Sequence, residues 1–248
     1  MNTYFYALAL YFAAASITFA ADKADPSPFD AGIKAYEQGD YASAREQFLT
    51  ALETNETAAA RHNLGLTELQ LKNTAETVWQ LERALLLDPF NRDYSEKLGL
   101  VREQLGLTTG KRNWPYTFSQ IVSFDTWKII TAIGFWLLVA TALLPWLSAK
   151  KASGLIQFLR ICSLLALALS VAAIWLNLET RQSGIVLSAE NSALRAAPAA
   201  AAPENGFARP GERAQVLDRH NDFYKIKTEG LASGWISKDD FRLLVESF

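Results

Sequence analysis

Two long apolar runs separated by a short basic segment place the strongest limit on what this 248-residue chain can fold into. No charged residue occurs from Ile129 to Ala149 or from Ile161 to Leu178. At a rise of about 1.5 Å per residue, each run gives roughly 27–32 Å of helix, which matches a hydrocarbon core about 30 Å thick. The runs therefore predict two membrane spans, 127–149 and 161–178. The alternative, fully buried core helices, rarely reaches this length.

The basic residues between the two runs predict the orientation of the hairpin. Lys150, Lys151 and Arg160 lie in the short turn 150–160, and Lys and Arg near span ends favour the cytoplasmic side. We therefore predict a cytoplasmic turn, with the regions before and after the hairpin both extracytoplasmic.

The N-terminal segment is apolar and ends in small residues. Thr18 and Ala20 occupy the positions that a signal peptidase inspects, so residues 1–20 are predicted to be a secretory signal peptide. No Lys or Arg precedes the apolar stretch, which leaves an uncleaved N-terminal anchor as the alternative. Both interpretations export the domain that follows.

The region 26–108 shows an internal repeat. Small and apolar residues recur at a constant spacing close to the ~34 residues of a tetratricopeptide repeat: Gly32, Phe48 and Ala51 correspond to Gly65, Leu81 and Ala84. The segments around them, FDAGIKAYEQGDYASAREQFLTALE and NLGLTELQLKNTAETVWQLERALLLDP, resemble tetratricopeptide repeats. We predict a helical repeat domain in which the amphipathic stretch from Asn91 to Leu105 is the capping helix.

Repeats of this kind bend so that the first helix of each pair lines a concave groove. In the predicted register, the partner-binding groove consists of Phe29, Ile33, Tyr36, His62, Leu66, Leu69 and Lys97. The alternative is that many of these side chains simply pack in the core. After the repeats, residues 109–126 are predicted to be a linker, whose aromatic residues suit either the membrane interface or a packed loop.

Beyond the second apolar run the hydrophobic period changes to two, which is typical of short strands broken by Gly and Pro. The segment 183–246 resembles a bacterial SH3-like barrel, with Gly234-Trp235-Ile236 as its most specific marker. There Gly allows the strand to bend and Trp covers it. The predicted ligand surface consists of Phe223, Tyr224 and Trp235. The Ala-Pro stretch from Ala196 to Pro203 is expected to be either the long first loop of the barrel or a disordered linker.

The sequence offers no catalytic or metal-binding pattern. His62 and His220 lie in different predicted domains, and neither has a second ligand at metal-binding spacing. Asp239-Asp240 is predicted to be a solvated pair or a helix cap rather than a catalytic dyad. The single cysteine, Cys162, excludes an internal disulfide, and a net charge of −2 excludes a nucleic-acid-binding footprint. We predict a protein that is not an enzyme and has no metal or cofactor.

Taken in order, the chain is predicted to be a multi-domain membrane protein with all-α tetratricopeptide-type repeats, two transmembrane helices and a small all-β SH3-like barrel. This order resembles the BatE family of the bacterial aerotolerance operon, above all in the segment LERALLLDPFNRDYSEKLGL. The resemblance implies a bacterial inner-membrane component acting in envelope or oxidative-stress tolerance. It also implies protein partners: von Willebrand factor A-domain membrane proteins and, indirectly, a MoxR-type ATPase.

Two functions are compatible with this organisation. The first is a scaffold or adaptor, whose periplasmic repeats and barrel recruit protein partners to the inner membrane. The second is a sensor that binds peptidoglycan through the barrel. Both place the chain in contact with membrane lipid and neither involves nucleic acid.

Overall fold

The computed structural model describes residues 27–107, 114–147 and 154–245. The predicted signal peptide, 1–20, and the basic pair Lys150 and Lys151 lie outside the described residues. Within them the chain forms eight α-helices followed by an antiparallel sheet.

Residues 27–107 form five helices joined by short turns. The helices are α1 (Pro28–Glu37), α2 (Tyr41–Thr54), α3 (Ala58–Gln70), α4 (Thr74–Leu87) and α5 (Arg92–Gln104). Several begin at a side-chain cap that binds a free backbone N–H: the Ser27 hydroxyl accepts from Asp30 N, and the Asp40 carboxylate accepts from Ser43 N. Gly39, at φ +77°, makes the turn between α1 and α2. These short turns bring successive helices into contact.

The recurring glycines occupy equivalent places where two helices cross. A Cβ added to Gly32 would lie 2.7 Å from Phe48 Cε1, and one added to Gly65 would lie 3.1 Å from Leu81 Cδ2. In both pairs, a glycine on the first helix therefore faces a large apolar side chain on the second. The recurrence read from the sequence thus has a packing cause, while membership of the tetratricopeptide family stays a prediction.

The two apolar runs form the helices α7 (Phe124–Leu147) and α8 (Gly154–Arg181), which pack on each other. Both are long and apolar enough to cross a membrane. Helix α8 begins within the predicted turn 150–160, so Arg160 is helical, and its Nη2 donates to Thr141 O at 2.6 Å. The hydroxyl of Thr131 donates to the hydroxyl of Ser170 at 2.9 Å, which joins the two helices near their other end.

The predicted linker 109–126 contains a short helix, α6 (Trp114–Ser119), and the first residues of α7. Helix α6 packs against α8. The Ser119 carbonyl accepts from the Trp127 indole at 2.9 Å and from the Asn177 amide at 2.7 Å. This part of the predicted linker is therefore attached to both long helices.

The C-terminal region is a single antiparallel sheet of seven strands in the order β3-β2-β6-β5-β4-β1-β7. The strands are β1 (Ser183–Val186), β2 (Ser192–Arg195), β3 (Glu204–Ala208), β4 (Arg213–His220), β5 (Phe223–Thr228), β6 (Ser233–Ser237) and β7 (Phe241–Leu243). Every strand contributes to one buried cluster, made of Val186, Leu194, Ala208, Ala214, Val216, Ile226, Ile236 and Phe241. The sheet therefore curves around a single core, and we call it the barrel.

Candidate functional site

The barrel and the helical region share a hydrophobic cluster. Strand β1 is buried on both sides: Val186 lies in the barrel core, whereas Ile185 packs with α4 and α5. Leu244, just after β7, joins Ile185 in the same cluster. Side chains alternate along a strand, so β1 acts as a partition between two cores. We call this contact the joint.

Trp79 on α4 lies at the centre of the joint. Its indole Nε1 donates to Leu243 O at 3.1 Å. The guanidinium groups of Arg61 and Arg242 each lie 4.9 Å from its ring centroid. An indole between two guanidinium groups gains cation–π attraction from each. Arg242 also forms an ion pair with Glu76 at 2.9 Å, so β7 is held to α4 by both apolar and polar contacts.

A chain of charged residues crosses the same joint. Arg102 on α5 is buried and contacts the carboxylates of Glu82, on α4, and Glu229, on the barrel. Arg213 Nη1 lies 3.7 Å from Glu82 Oε2. Burial raises the pKa of Glu229, and the attraction of Arg102 and Arg213 only partly opposes that rise. The barrel is therefore positioned on the helices by paired charges as well as by apolar burial.

A second ion-paired carboxylate supports the joint from the helical side. Glu56 accepts from Arg83 Nε and Nη2, each at 2.7 Å, and these hydrogen bonds lower its pKa. Arg83 Nη1 also donates to Leu244 O at 2.7 Å. A fixed fork of donors suits Arg to such a bridge, because it can hold a carboxylate and a carbonyl at once. Glu56, Arg83 and Leu244 thus connect the α2–α3 loop to the end of the barrel.

The barrel also presents an aromatic and basic surface. In the sheet register, Trp235 on β6 lies beside Lys225 on β5 and Arg195 on β2, and Phe223 precedes Lys225 by two residues on the same face. The His220 and Trp235 rings meet edge to face at 6.3 Å. We call these five residues the outer face. Among the described residues, none of the five has a hydrogen bond or an ion pair to the helical region.

Of the three predicted barrel residues, Phe223 and Trp235 lie on the outer face, and Tyr224 points the other way. Tyr224 alternates with Phe223 and packs against the barrel core, with its ring 5.8 Å from that of Phe241. Arg219 and Lys238 lie over the Tyr224 ring at 5.7 and 5.5 Å. Tyr224 is therefore positioned to support the barrel rim rather than to share a surface with Trp235.

The predicted groove residues of α1 pack within the first helix pair. Phe29, Ile33 and Tyr36 are half-buried around a small cluster that contains Phe48. The Phe29 and Phe48 rings lie 5.9 Å apart. Each of these side chains therefore contributes to packing, whatever surface it leaves exposed.

The other predicted groove residues lie in different environments. The buried His62 ring stacks on Tyr94 at 4.4 Å, and burial lowers the His62 pKa despite Asp93, whose Oδ2 lies 3.7 Å from Nε2. Leu69 packs against the cluster of the joint. Leu66 is half-buried and Lys97 is exposed. The structure thus brings His62 to α5, where the charge of Lys97 also acts on it, and a groove formed by all seven residues stays a prediction.

The residues of the joint were not among those selected from the sequence. One signal was present: the α4 segment VWQLERALLL carries apolar residues on more than one side. A helix that is apolar nearly all round must be covered on more than one side. The covering element comes from a strand that lies beyond the two long helices in the chain, which the local pattern does not reveal. Among the described residues, no three His, Cys, Asp or Glu side chains form a group that could hold a metal ion.

Comparison with known proteins identifies the C-terminal region. A bacterial SH3 domain family matches residues 190–241, which confirms the SH3-like part of the sequence prediction. No curated protein matches the chain. The matched range spans β2 to β6 and reaches Phe241, whereas Ile185 and Leu244, which hold the joint, lie outside it.

Proposed function

We propose that this protein is a non-enzymatic inner-membrane scaffold whose helical region and SH3-like barrel act together outside the cytoplasm to recruit a protein partner. The observation that carries the proposal is the outer face of the barrel. It combines Trp235 and Phe223 with the basic side chains of Arg195 and Lys225. In line with the family resemblance, the partner would belong to an envelope or oxidative-stress tolerance complex, with von Willebrand factor A-domain proteins as the first candidates.

The exposure of the long helices supports membrane insertion. Large apolar side chains such as Trp136, Phe158 and Trp175 point away from the hairpin and are 62–66% exposed. A core helix of a water-soluble protein would bury such residues, because leaving this much apolar area in water is unfavourable. Two hydrogen bonds join the helices across the hairpin, from Thr131 to Ser170 and from Arg160 to Thr141 O, while Thr141 and Ser163 donate to carbonyls of their own helix.

The composition of the outer face supports a protein partner. Trp and Arg are enriched among the residues that dominate protein interfaces, and a half-buried Trp has area to gain on binding. Trp235 lies between Arg195 and Lys225, so an acidic or carbonyl-rich segment would complement it. The same ring could stack on a sugar, and this feature favours peptidoglycan as the second candidate ligand.

The test is photo-crosslinking in membranes from cells that express the whole chain, with a crosslinking residue placed at Lys225. We expect one main crosslinked protein, and we expect Trp235→Ser to reduce its recovery at least about tenfold, as for a residue that dominates an interface. Leu231→Ser is the matched control, because Leu231 lies on a barrel turn and is 75% exposed. The whole chain is used because a separated barrel would expose Ile185 and Leu244.

Two results would contradict the scaffold. One is equal recovery from the Trp235 and Leu231 variants. The other is the absence of a crosslinked protein together with Trp235-dependent binding of the purified protein to peptidoglycan, which would establish the sensor instead.

A further inference from the structure

We call the helices α1–α5 together with the barrel the extramembrane region. A cavity of about 230 Å³ lies where this region meets the ends of the two long helices. The loop between α6 and α7 forms one wall, the last turns of α8 form another, and Leu86 and Val245 close the far side. Engineered cavities of roughly 150 Å³ are large enough to hold a benzene molecule. This cavity can therefore take a group of headgroup size, but not a whole lipid.

The lining of the cavity mixes polar and apolar side chains. The end of α8 contributes Asn177, Thr180 and Arg181, and the loop before α7 contributes two polar and two apolar residues: Gln120, Ser123, Ile121 and Val122. Ile121 is half-exposed. A cavity that combines a charged side chain and polar groups with exposed apolar side chains suits an amphiphile better than a fully hydrated ion.

Arg181 is the positive charge of this lining. Its guanidinium carbon lies 4.5 Å from the centre of the Phe124 ring. Among the described residues, no carboxylate lies at ion-pair distance from Arg181. The negative charge on which it acts is that of Asp125, which is already paired with Lys128. By contrast, five other arginines are each ion-paired: Arg61, Arg83, Arg102, Arg213 and Arg242. A guanidinium held by an aromatic ring keeps its donors available for a phosphate.

We propose that this cavity binds the phosphate of an anionic phospholipid, with Arg181 as its principal contact. The inference depends on the proposed membrane insertion, because only then do the ends of α7 and α8 lie at headgroup level. The occupant is a lipid rather than a soluble anion because acyl chains leaving the cavity would run along the exposed apolar sides of the two helices. Its function would be to hold the extramembrane unit at a fixed height on the bilayer.

The experiment measures lipid binding by native mass spectrometry on the whole chain, purified in detergent and delipidated. Phosphatidylglycerol and phosphatidylcholine are titrated separately. We expect phosphatidylglycerol to bind about tenfold more tightly, because both lipids carry a phosphate but Arg181 repels the choline cation of phosphatidylcholine. We expect Arg181→Gln to abolish this preference and Arg181→Lys to keep part of it. Arg92→Gln is the matched control, since Arg92 is 90% exposed on α5 and the change in charge is identical.

Three outcomes would overturn the proposed lipid site. Equal binding of the two lipids by the native chain, or an unchanged preference in Arg181→Gln, would overturn the proposal. Displacement of the lipid by free glycerol phosphate would show a site for soluble anions and would overturn it as well. Alkaline extraction of native membranes distinguishes failure of the proposed membrane insertion from failure of the lipid site. Release of the chain would refute membrane insertion. Retention of the chain without a lipid preference would refute only the lipid site.

Discussion

The two helix pairs of the N-terminal region share a sequence pattern and differ in what covers them. Helix α2, the second helix of the first pair, buries only Ala44 and Phe48. Helix α4, its counterpart in the second pair, buries nine of its fourteen residues. The additional burial on α4 comes from α5 on one side and from the barrel on the other. Equivalent positions on α2 and α4 are therefore stabilised to different degrees, because different elements cover them.

This difference shows how a short repeat array can be stabilised. Each pair in such an array buries its apolar face only by stacking on the next unit, so stability depends on nearest neighbours. Among the described residues, the second pair packs on the first pair, on α5 and on the barrel, whereas the first pair packs on the second. We infer that the barrel has two separate surfaces with separate roles: β1 and β7 complete the helical region, while the outer face stays available for a ligand.

The largest effect is expected from removing the indole at the joint. Trp79→Ala deletes a large buried side chain, a hydrogen bond to Leu243 O and two cation–π contacts. Substitutions of this type cost about 3–5 kcal/mol. Hydrogen exchange on the whole chain in detergent should show faster exchange in α4 and β1, while α1 and α2 change little. The stability of the second pair would then fall towards that of the first.

The matched control for this experiment is Trp136→Ala, which removes an indole that is 66% exposed on α7. It should leave exchange in α4 and β1 unchanged. Equal protection of β1 in the native chain and in Trp79→Ala would mean that the joint does not stabilise the second pair.

An intermediate effect is expected at the helix crossings, where it compares the two pairs directly. In Gly32→Ala the new methyl group would meet the rigid Phe48 ring at 2.7 Å, so we expect a loss of about 1–3 kcal/mol. In Gly65→Ala the nearest atom is Leu81 Cδ2 at 3.1 Å, and a leucine can move aside. The loss there should therefore be smaller, since the gain of about 1 kcal/mol in helix propensity from Gly to Ala is the same at both sites and cancels in the comparison.

Gly99→Ala provides the reference for helix propensity alone. No atom lies within 4 Å of a Cβ added there, so this variant should be stabilised slightly. Local exchange rates in α1–α2 and in α3–α4 give the comparison. If Gly32→Ala were no more harmful than Gly99→Ala, the close crossing of α1 and α2 would be refuted.

The smallest effect concerns the pH dependence of the joint. Burial raises the pKa of Glu229 above its usual value of 4.5. The stability contributed by its neutral form is thus fully present below pH 4.5 and is lost as the pH rises through the raised pKa. Glu229→Gln imitates the neutral form, so it should melt slightly higher than the native chain near neutral pH. Thermal melting at a series of pH values should show the difference shrinking as the pH falls.

Glu56 titrates in the opposite sense and provides a contrast within the same joint. Its pKa is lowered by the hydrogen bonds from Arg83, so its contribution is present above pH 4.5 and is lost as the pH falls through the lowered pKa. Glu56→Gln should therefore melt lower than the native chain near neutral pH. A higher melting temperature for Glu56→Gln would contradict this assignment of the two carboxylates.

Local patterns determined the individual elements of this protein. The charge-free runs predicted two long apolar helices, and the structure contains both. The recurrence of Gly32 and Gly65 predicted equivalent positions in two helical repeats, and the structure places both glycines against a large apolar side chain of the next helix. The change to a period of two, together with Gly234-Trp235, predicted the SH3-like region that the family match confirms. Each of these signals is carried by residues near one another in the chain. Steric fit and burial within one element restrict which residue types can stand there, so the pattern is visible in the sequence.

Tertiary structure alone decided which of those elements meet. Trp79 and Leu243 form one hydrogen bond across most of the chain, and Ile185 belongs to a cluster built mainly from α4 and α5. The period-two pattern of β1 does not indicate that the face carrying Ile185 is covered by helices rather than exposed to water. Such contacts join elements that are far apart in the chain. The sequence therefore indicates that an apolar face must be buried, but it does not indicate which other element covers that face.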